Sequence, residues 1–232
     1  MPEGLLLVDK PKGWTSHDVV AVLRKLTPKG TKVGHSGTLD PMATGLLVLL
    51  FVKATKSAAT LQGLPKIYSG SIRLGVRTET ADMDGKVTAE APVPALSIDQ
   101  LRALLDSLTG DLEMPVPRYS AVKHEGRPLY DYARKGIETP EKRRVSRVDS
   151  WELLSWESPE LAFRVHCGSG TYVRSLAELV GEKLGCGAAL SALRREAVGT
   201  YPLSDAAELA ALRAGGAAFL ESRLKPLEAA PA

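Results

Sequence analysis

Residues 46–52, LLVLLFV, form the longest uninterrupted apolar run in the chain. The run is far below the ~20 residues that cross a bilayer and is short enough to be a buried strand. The segment that feeds it, GHSGTLDPMATG, carries Gly34, Gly37 and Gly45, whose backbones reach conformations and close approaches that other residues resist. It holds a single acid, Asp40, with His35 and Thr38 beside it. A lone carboxylate is thereby set at the mouth of a core element. Asp followed by Pro is also a common helix start, the carboxylate capping free N–H groups and Pro41 standing at the first helical position. Gly45 then falls within about one turn, which leaves little helix to cap.

A chain of 232 residues with 44% hydrophobic residues can bury a sizeable core. The start, MPEGLLLVDKP, lacks a basic n-region and a long h-region, so the expectation is a soluble, cytoplasmic protein with no membrane segment. Cys167 and Cys186 lack C-x-x-C spacing, and His17, His35, His124 and His166 show no metal-ligand pattern. No metal and no redox cofactor is implied. The net charge is only +3, but residues 118–147 hold nine Lys and Arg against four Asp and Glu. Tyr119, Tyr130 and Tyr132 stand among them, the mixture of a surface that meets phosphates and unstacked bases. The same composition also fits a solvated, charged excursion.

Periodicity gives mixed α and β. Residues 4–9 read as a buried strand, and a helix beginning at Ser16 places Val19, Val22, Leu23 and Leu26 on one stripe. A second helix is expected over 53–61. Residues 66–75 read as a strand with Tyr68 on the face opposite its apolar neighbours, 89–94 as a loop, and Ser97 as the cap of a helix bearing Leu101, Leu104, Leu105 and Leu108. Strands are expected over 145–154 and 161–167, then a helix carrying Val173, Leu176, Ala177, Val180 and Leu184, and a last helix over 204–213. Arg174 falls in a first helical turn, where the macrodipole disfavours a cation, so either a carboxylate partner or open solvent must explain it. Asp9 at a strand end would suit a phosphoryl-accepting aspartate, but Pro11 stands where a second magnesium-binding acid belongs. The loop 168–170, Gly-Ser-Gly, lacks the length and the lysine of a P-loop.

Six segments occur in an order that resembles a known family. DKPKGWTS, GHSGTLDPMATGLL, KIY with LGVRTETADMDG, YSAVKHEGRPLYDYARKG, GTYVRSL and LSALRREAVGTY are similar to the motifs of the TruB-type tRNA pseudouridine synthases. Departures are Ser36 for the usual Thr, MPVP at 114–117 for Q-x-P-P, Ala189 for His and Glu178 for Asp. The resemblance implies a pseudouridine synthase fold, α/β with a mixed, largely antiparallel sheet, flanking helices and a basic RNA-gripping insertion around 115–147. It implies one catalytic domain over 1–232 without a full PUA domain, and an isomerase that needs no cofactor. The reaction would convert the T-loop uridine at tRNA position 55 to pseudouridine, with the base flipped out.

By the same resemblance Asp40 is the nucleophile, Arg174 its partner, and Tyr68 stacks on the target base. Tyr172 and Leu193 line the uridine pocket, Lys10 sits beside the nucleophile loop, and His35 takes up the space the flipped base leaves. Lys123, Arg127, Arg134, Lys135, Arg143 and Arg144 would meet RNA. The implied partner is the T-arm stem-loop of tRNA, with no obligatory protein partner and a monomeric enzyme. Attack at C6 of the ring and attack at C1′ of the ribose both stay open. The alternative is an RNA-binding or RNA-chaperone module without catalysis, against which the joint presence of Asp40, Tyr68 and Arg174 argues.

Overall fold

The computed structural model describes residues 3–227, and the last five residues of the Ala-rich tail lie outside the described residues. In chain order the elements are β1 (Gly4–Lys10), α1 (Ser16–Lys25), β2 (Val33–His35), β3 (Thr44–Phe51), α2 (Ala58–Gly63), β4 (Lys66–Leu74), β5 (Val76–Thr78), β6 (Val87–Glu90), α3 (Ile98–Ser107) and β7 (Gly110–Pro115). There follow β8 (Lys123–His124), β9 (Arg127–Pro128), α4 (Leu129–Arg134), β10 (Arg143–Glu157), β11 (Glu160–Cys167), α5 (Val173–Lys183), β12 (Ala188–Val198), β13 (Tyr201–Pro202), β14 (Ala207–Glu208) and α6 (Leu209–Ser222). The chain forms two compact units, Met1–Tyr68 with Leu193–Ala232, and Ser69–Ala192. It passes between them inside β4 and again inside β12. The fold is mixed α and β with mostly antiparallel strand pairings.

In the first unit the strand order is β14-β1-β3-β12, with β2 also on β3 and β13 on β12. β3 is the apolar run of the sequence, buried from Gly45 to Phe51. Leu46, Val48 and Leu50 pack with Leu5, Leu7, Ala54, Leu61 and Val198 in one cluster. Leu47, Leu49 and Phe51, alternating with them, are equally buried, so both faces of the strand are covered. At its start Gly45 has φ +97, and a Cβ there would strike the backbone of Arg195, with which Gly45 is in register on β12. Only glycine fits that crossing.

In the second unit β4, β11, β10 and β7 follow one another. Trp151 on β10 stacks edge-on against Phe163 of β11, ring centroids 5.3 Å apart, and its indole N–H donates to the Leu108 carbonyl at 3.0 Å. That bond holds the end of α3, whose start is fixed by a reciprocal capping box of Ser97 and Gln100. Ser175 of α5 donates to the Pro115 carbonyl of β7 at 2.7 Å.

Five expectations change. Tyr68 is buried on the same phase of β4 as Lys66, Ile72 and Leu74, not opposite the apolar residues. The pattern misled because Lys66 occupies a buried position, its ammonium held by the carbonyls of Gln62 and Leu64, both at 2.5 Å. The helix expected over 53–61 is a 3-10 turn, Val52–Ser57, running into α2, with the Thr55 hydroxyl bonded back to the Val52 carbonyl at 2.7 Å. β10 begins two residues earlier than expected because its first part pairs with β7, a polar, half-exposed strand that lacks a legible alternation, and ends three later because Ser155, Trp156 and Glu157 pair with β11. The exposed β6 likewise takes residues 89 and 90 from the expected loop. The last helix starts at Leu209, since Ala207 and Glu208 pair in parallel with Val8 and Asp9.

Candidate active site

Asp40 lies in a turn, not at a helix start. Its carbonyl accepts the Ala43 N–H at 3.1 Å, and β3 begins one residue later. Asp at the first position and Pro41 at the second are the residues such a turn favours. The residues on either side are fastened to the turn that follows β1 and to the first residue of α1. Leu39 N–H donates to Ser16 Oγ at 2.8 Å, and the Pro41 carbonyl accepts from Gly13 N–H at 2.8 Å. Ser16 is available for this because Thr15, not Ser16, caps α1 in a reciprocal box with Asp18.

Lys10 ends β1 beneath this loop. Its side chain is 0% exposed, and its ammonium donates to the carbonyls of Trp14 at 2.7 Å, Pro11 at 3.0 Å and Pro41 at 3.4 Å. Burial pulls its pKa from 10.5 down to about 8, while the charge of Asp40 acts in the opposite sense. His35 ends β2, and burial of its ring, then the charges of Arg195 and His17, hold its pKa below the ordinary value. Leu193 on β12 is buried, and its carbonyl accepts from the Thr44 hydroxyl at 3.4 Å. Tyr68, 8% exposed, closes the first segment of this unit. Asp9, the phosphoryl-acceptor candidate, is instead held by both guanidinium nitrogens of Arg194, at 2.6 and 3.2 Å.

In the second unit Tyr172 stands at the N-cap of α5 with no side-chain cap bond, and Arg174 follows in the first turn, 4% exposed. The misplaced cation has its reason. Its guanidinium donates to the carbonyls of Thr80 and Tyr119, both at 2.9 Å, and its Nε lies 3.9 Å from the carboxylate of Asp82. Asp82 is itself positioned by the Thr80 hydroxyl at 2.6 Å and the Asp84 N–H at 3.2 Å. Met83 N–H and the Ala81 carbonyl tie this loop to Leu190 of β12. One turn along α5, burial pushes the Glu178 carboxyl above its usual pKa, against the pull of Arg77 and Arg174.

The basic segment folds as a small β-turn-β-α unit. Glu125 and Gly126, with φ of 48° and 81°, make the tight turn between β8 and β9. Tyr132 of α4 donates to the His124 carbonyl at 3.1 Å and packs edge-on against its ring. Lys123, Arg127, Arg134 and Lys135 are exposed, Arg134 lying 5.4 Å from the Tyr130 ring centre. Arg143 is engaged by Glu141 at 2.8 Å and Glu113 at 3.8 Å, and Arg144 lies against Gly170. Among the described residues no helix is long and apolar enough to cross a membrane.

Residues 24–173 match the model of the TruB family pseudouridylate synthase N-terminal domain, and 174–231 that of the tRNA pseudouridylate synthase B C-terminal domain. The chain belongs to the TruB family of pseudouridylate synthases. It is 48% identical to a tRNA pseudouridine synthase B of Opitutus terrae, over 99% of this chain and 95% of that protein. With a tRNA pseudouridine synthase B of Azoarcus sp. it shares 43% identity over 98% of this chain and 75% of the relative. A solved structure of a Cbf5-Nop10-Gar1 complex contains a chain similar to it at 28% identity and a TM-score of 0.74, covering 96% of this chain; the match spans 60% of that chain.

Of the residues that the TruB motifs single out, the first unit brings Asp40 and Lys10 together around the Pro41 turn, with His35 and Leu193 on the strands that flank β3. Tyr172, Arg174 and the six basic residues belong to the second unit. Three contributors went unread in the sequence. Ser16 was visible only as a helix start, although the Thr15-x-x-Asp18 capping box would have freed it. Asp82 stood in the T-x-T-x-D-x-x-G motif without a role. Arg195, 1% exposed, stood beside Leu193 and carries no sign of burial in its residue type.

Proposed function

We propose that this TruB-family chain is a stand-alone tRNA pseudouridine synthase acting on the T-loop uridine at position 55, with Asp40 as its nucleophile. The whole chain acts as one catalytic domain, as a monomer in the cytoplasm, and needs no cofactor or protein partner. The observation that carries the reading is the loop of Asp40: an acid with no helix to cap, pinned on both sides by Ser16 and Gly13, and facing the charge of a buried lysine.

The reaction breaks the N1–C1′ bond, turns the uracil and joins C5 to C1′, releasing the C5 proton. It needs an ionised carboxylate that bonds reversibly to substrate, and cationic neighbours keep an acid ionised in a closed pocket. Arg174, whose guanidinium is buried and oriented by Thr80, Tyr119 and Asp82, takes that part against Asp40. The base leaves its stack at a cost of about a few kcal/mol, offset in part by stacking on Tyr68. Tyr172 and Leu193 line the uridine pocket, and His35 fills the vacated space in the loop. Lys123, Arg127, Arg134, Lys135 and Arg144 meet the phosphates of the T-arm, whose folded shape is the main recognition feature.

The test is tritium release from a T-arm stem-loop labelled at C5 of uridine, comparing the wild-type chain with Asp40→Ala at saturating protein. Release by the wild type and binding without release by the variant is the expected result. Binding by both without release from either would make this an RNA-binding or chaperone module, or would move its target away from the T-loop.

A further inference from the structure

We propose that Arg195 is a positioning residue for the Asp40 loop: its buried guanidinium fastens the loop to β3, and so fixes the carboxylate relative to Leu193 on the same face of β12. The inference rests on the reading of Asp40 as the nucleophile. Arg195 Nε donates to the Leu46 carbonyl at 2.7 Å and Nη2 to the Gly37 carbonyl at 3.2 Å. Leu193 and Arg195 are two residues apart on one strand, and both are buried.

Both glycines that bracket Asp40 bear on this one residue. Gly37, with φ +112, closes its turn over the guanidinium, where a Cβ would stand 3.7 Å from Nη1. Gly45, with φ +97, lies against the Arg195 backbone too closely for any side chain. The loop is therefore held at one end by the side chain of Arg195 and at the other by its main chain. A planar fork reaches two carbonyls on different segments, which a single ammonium centre does with less control of angle. A guanidinium also stays charged at every accessible pH. Consistent with that placement, its charge disfavours protonation of both Lys10 and His35.

The test uses Arg195→Lys and Arg195→Met in the full chain. Lys10 already holds a fully buried ammonium on three carbonyls in the same region, so the lysine variant is expected to fold. Thermal unfolding, RNA affinity and the single-turnover rate of tritium release are measured together, with the His35 ring titrated by NMR. For Arg195→Lys the expectation is RNA affinity within about twofold and a rate reduced about tenfold or more, the scale of a small misplacement of a reacting group. His35 should keep its titration in Arg195→Lys, where the charge remains, and shift upward in Arg195→Met.

A rate within twofold of wild type in a folded Arg195→Lys overturns the proposal. So does a rate that falls only in step with affinity and melting temperature, the mark of a merely structural role. If Arg195→Met does not fold, Arg195→Lys decides alone; if neither folds, the residue is a structural one and the proposal fails. Asp40→Ala in the same assay separates the two readings: turnover by that variant removes the nucleophile assignment itself, whereas its loss beside a wild-type-like Arg195→Lys removes only this inference.

Discussion

Ser16 and Leu39 are joined by a reciprocal pair of hydrogen bonds across 23 residues of chain: Leu39 N–H donates to Ser16 Oγ at 2.8 Å, and the hydroxyl donates back to the Leu39 carbonyl at 3.2 Å. Both groups are buried, so neither bond has water as a substitute. Removing the hydroxyl leaves the Leu39 main chain unsatisfied next to Asp40. Ser16→Ala is expected to cost about 1–3 kcal/mol in urea unfolding. It should also slow single-turnover tritium release more than it weakens RNA binding. An unchanged rate would show that the clasp does not set the position of the carboxylate.

Arg174 offers a two-part comparison. Arg174→Lys keeps the charge but gives up the planar fork that spans the Thr80 and Tyr119 carbonyls, so RNA binding should persist while most turnover is lost. Near-wild-type single-turnover rates would rule out the pairing with Asp40. Asp82→Asn removes the carboxylate 3.9 Å from the buried guanidinium and should lower both the melting temperature and the rate, by about 1–3 kcal/mol in stability.

Lys10 predicts a pH dependence. Its folded pKa of about 8 lies below the ordinary 10.5, so between those values the unfolded chain binds a proton that the folded chain has released. This group therefore makes stability rise with pH across that window, its unfavourable contribution being complete below pH 8 and gone above 10.5. Lys10→Met lacks this slope. Urea titrations at pH 7.5 and pH 10 should show wild type gaining on the variant at the higher pH. Parallel behaviour of the two proteins would contradict the assignment.

The basic residues are not equivalent. Arg127 and Lys135 are exposed, whereas Arg143 is held by Glu141 and Glu113. Arg127→Ala or Lys135→Ala should weaken T-arm binding uniformly and reduce the slope of log affinity against log salt by roughly 0.7 to 0.9, the loss of about one phosphate contact. Arg143→Ala should change the slope less. Filter binding across a salt series measures both.

His35 is held toward its neutral form by burial and by Arg195. His35→Ala is expected to weaken productive RNA docking more than it changes the chemical step. Unchanged affinity with slow release would reverse that order.

The motifs fixed the family from the sequence, and the uniformly apolar run fixed the strand that became β3, because an unbroken hydrophobic segment of that length has only a covered position to occupy. The helices α1 and α3 were equally legible, since a 3.6-residue stripe and a start residue such as Ser16 or Ser97 are local properties, whereas the capping box of Thr15 and Asp18 was not read. The turn at Asp40 was half legible: the residues Asp-Pro suit a helix cap and a turn alike, and only the pairing of β3 with β1 and β12 excludes the helix. Polar or exposed strands such as β6 and β7 went unseen because their stability comes from a neighbouring strand rather than from an alternation of their own. The same reason hid the charged residues that turned out to be buried. Nothing in the letters of Arg195, Asp82 or Lys66 distinguishes a solvated charge from one enclosed by carbonyls, since burial is conferred by segments remote in the chain. The types of the reactive groups were written in the sequence; which charges are enclosed, and which carbonyls and loops they hold in place, was decided only by folding.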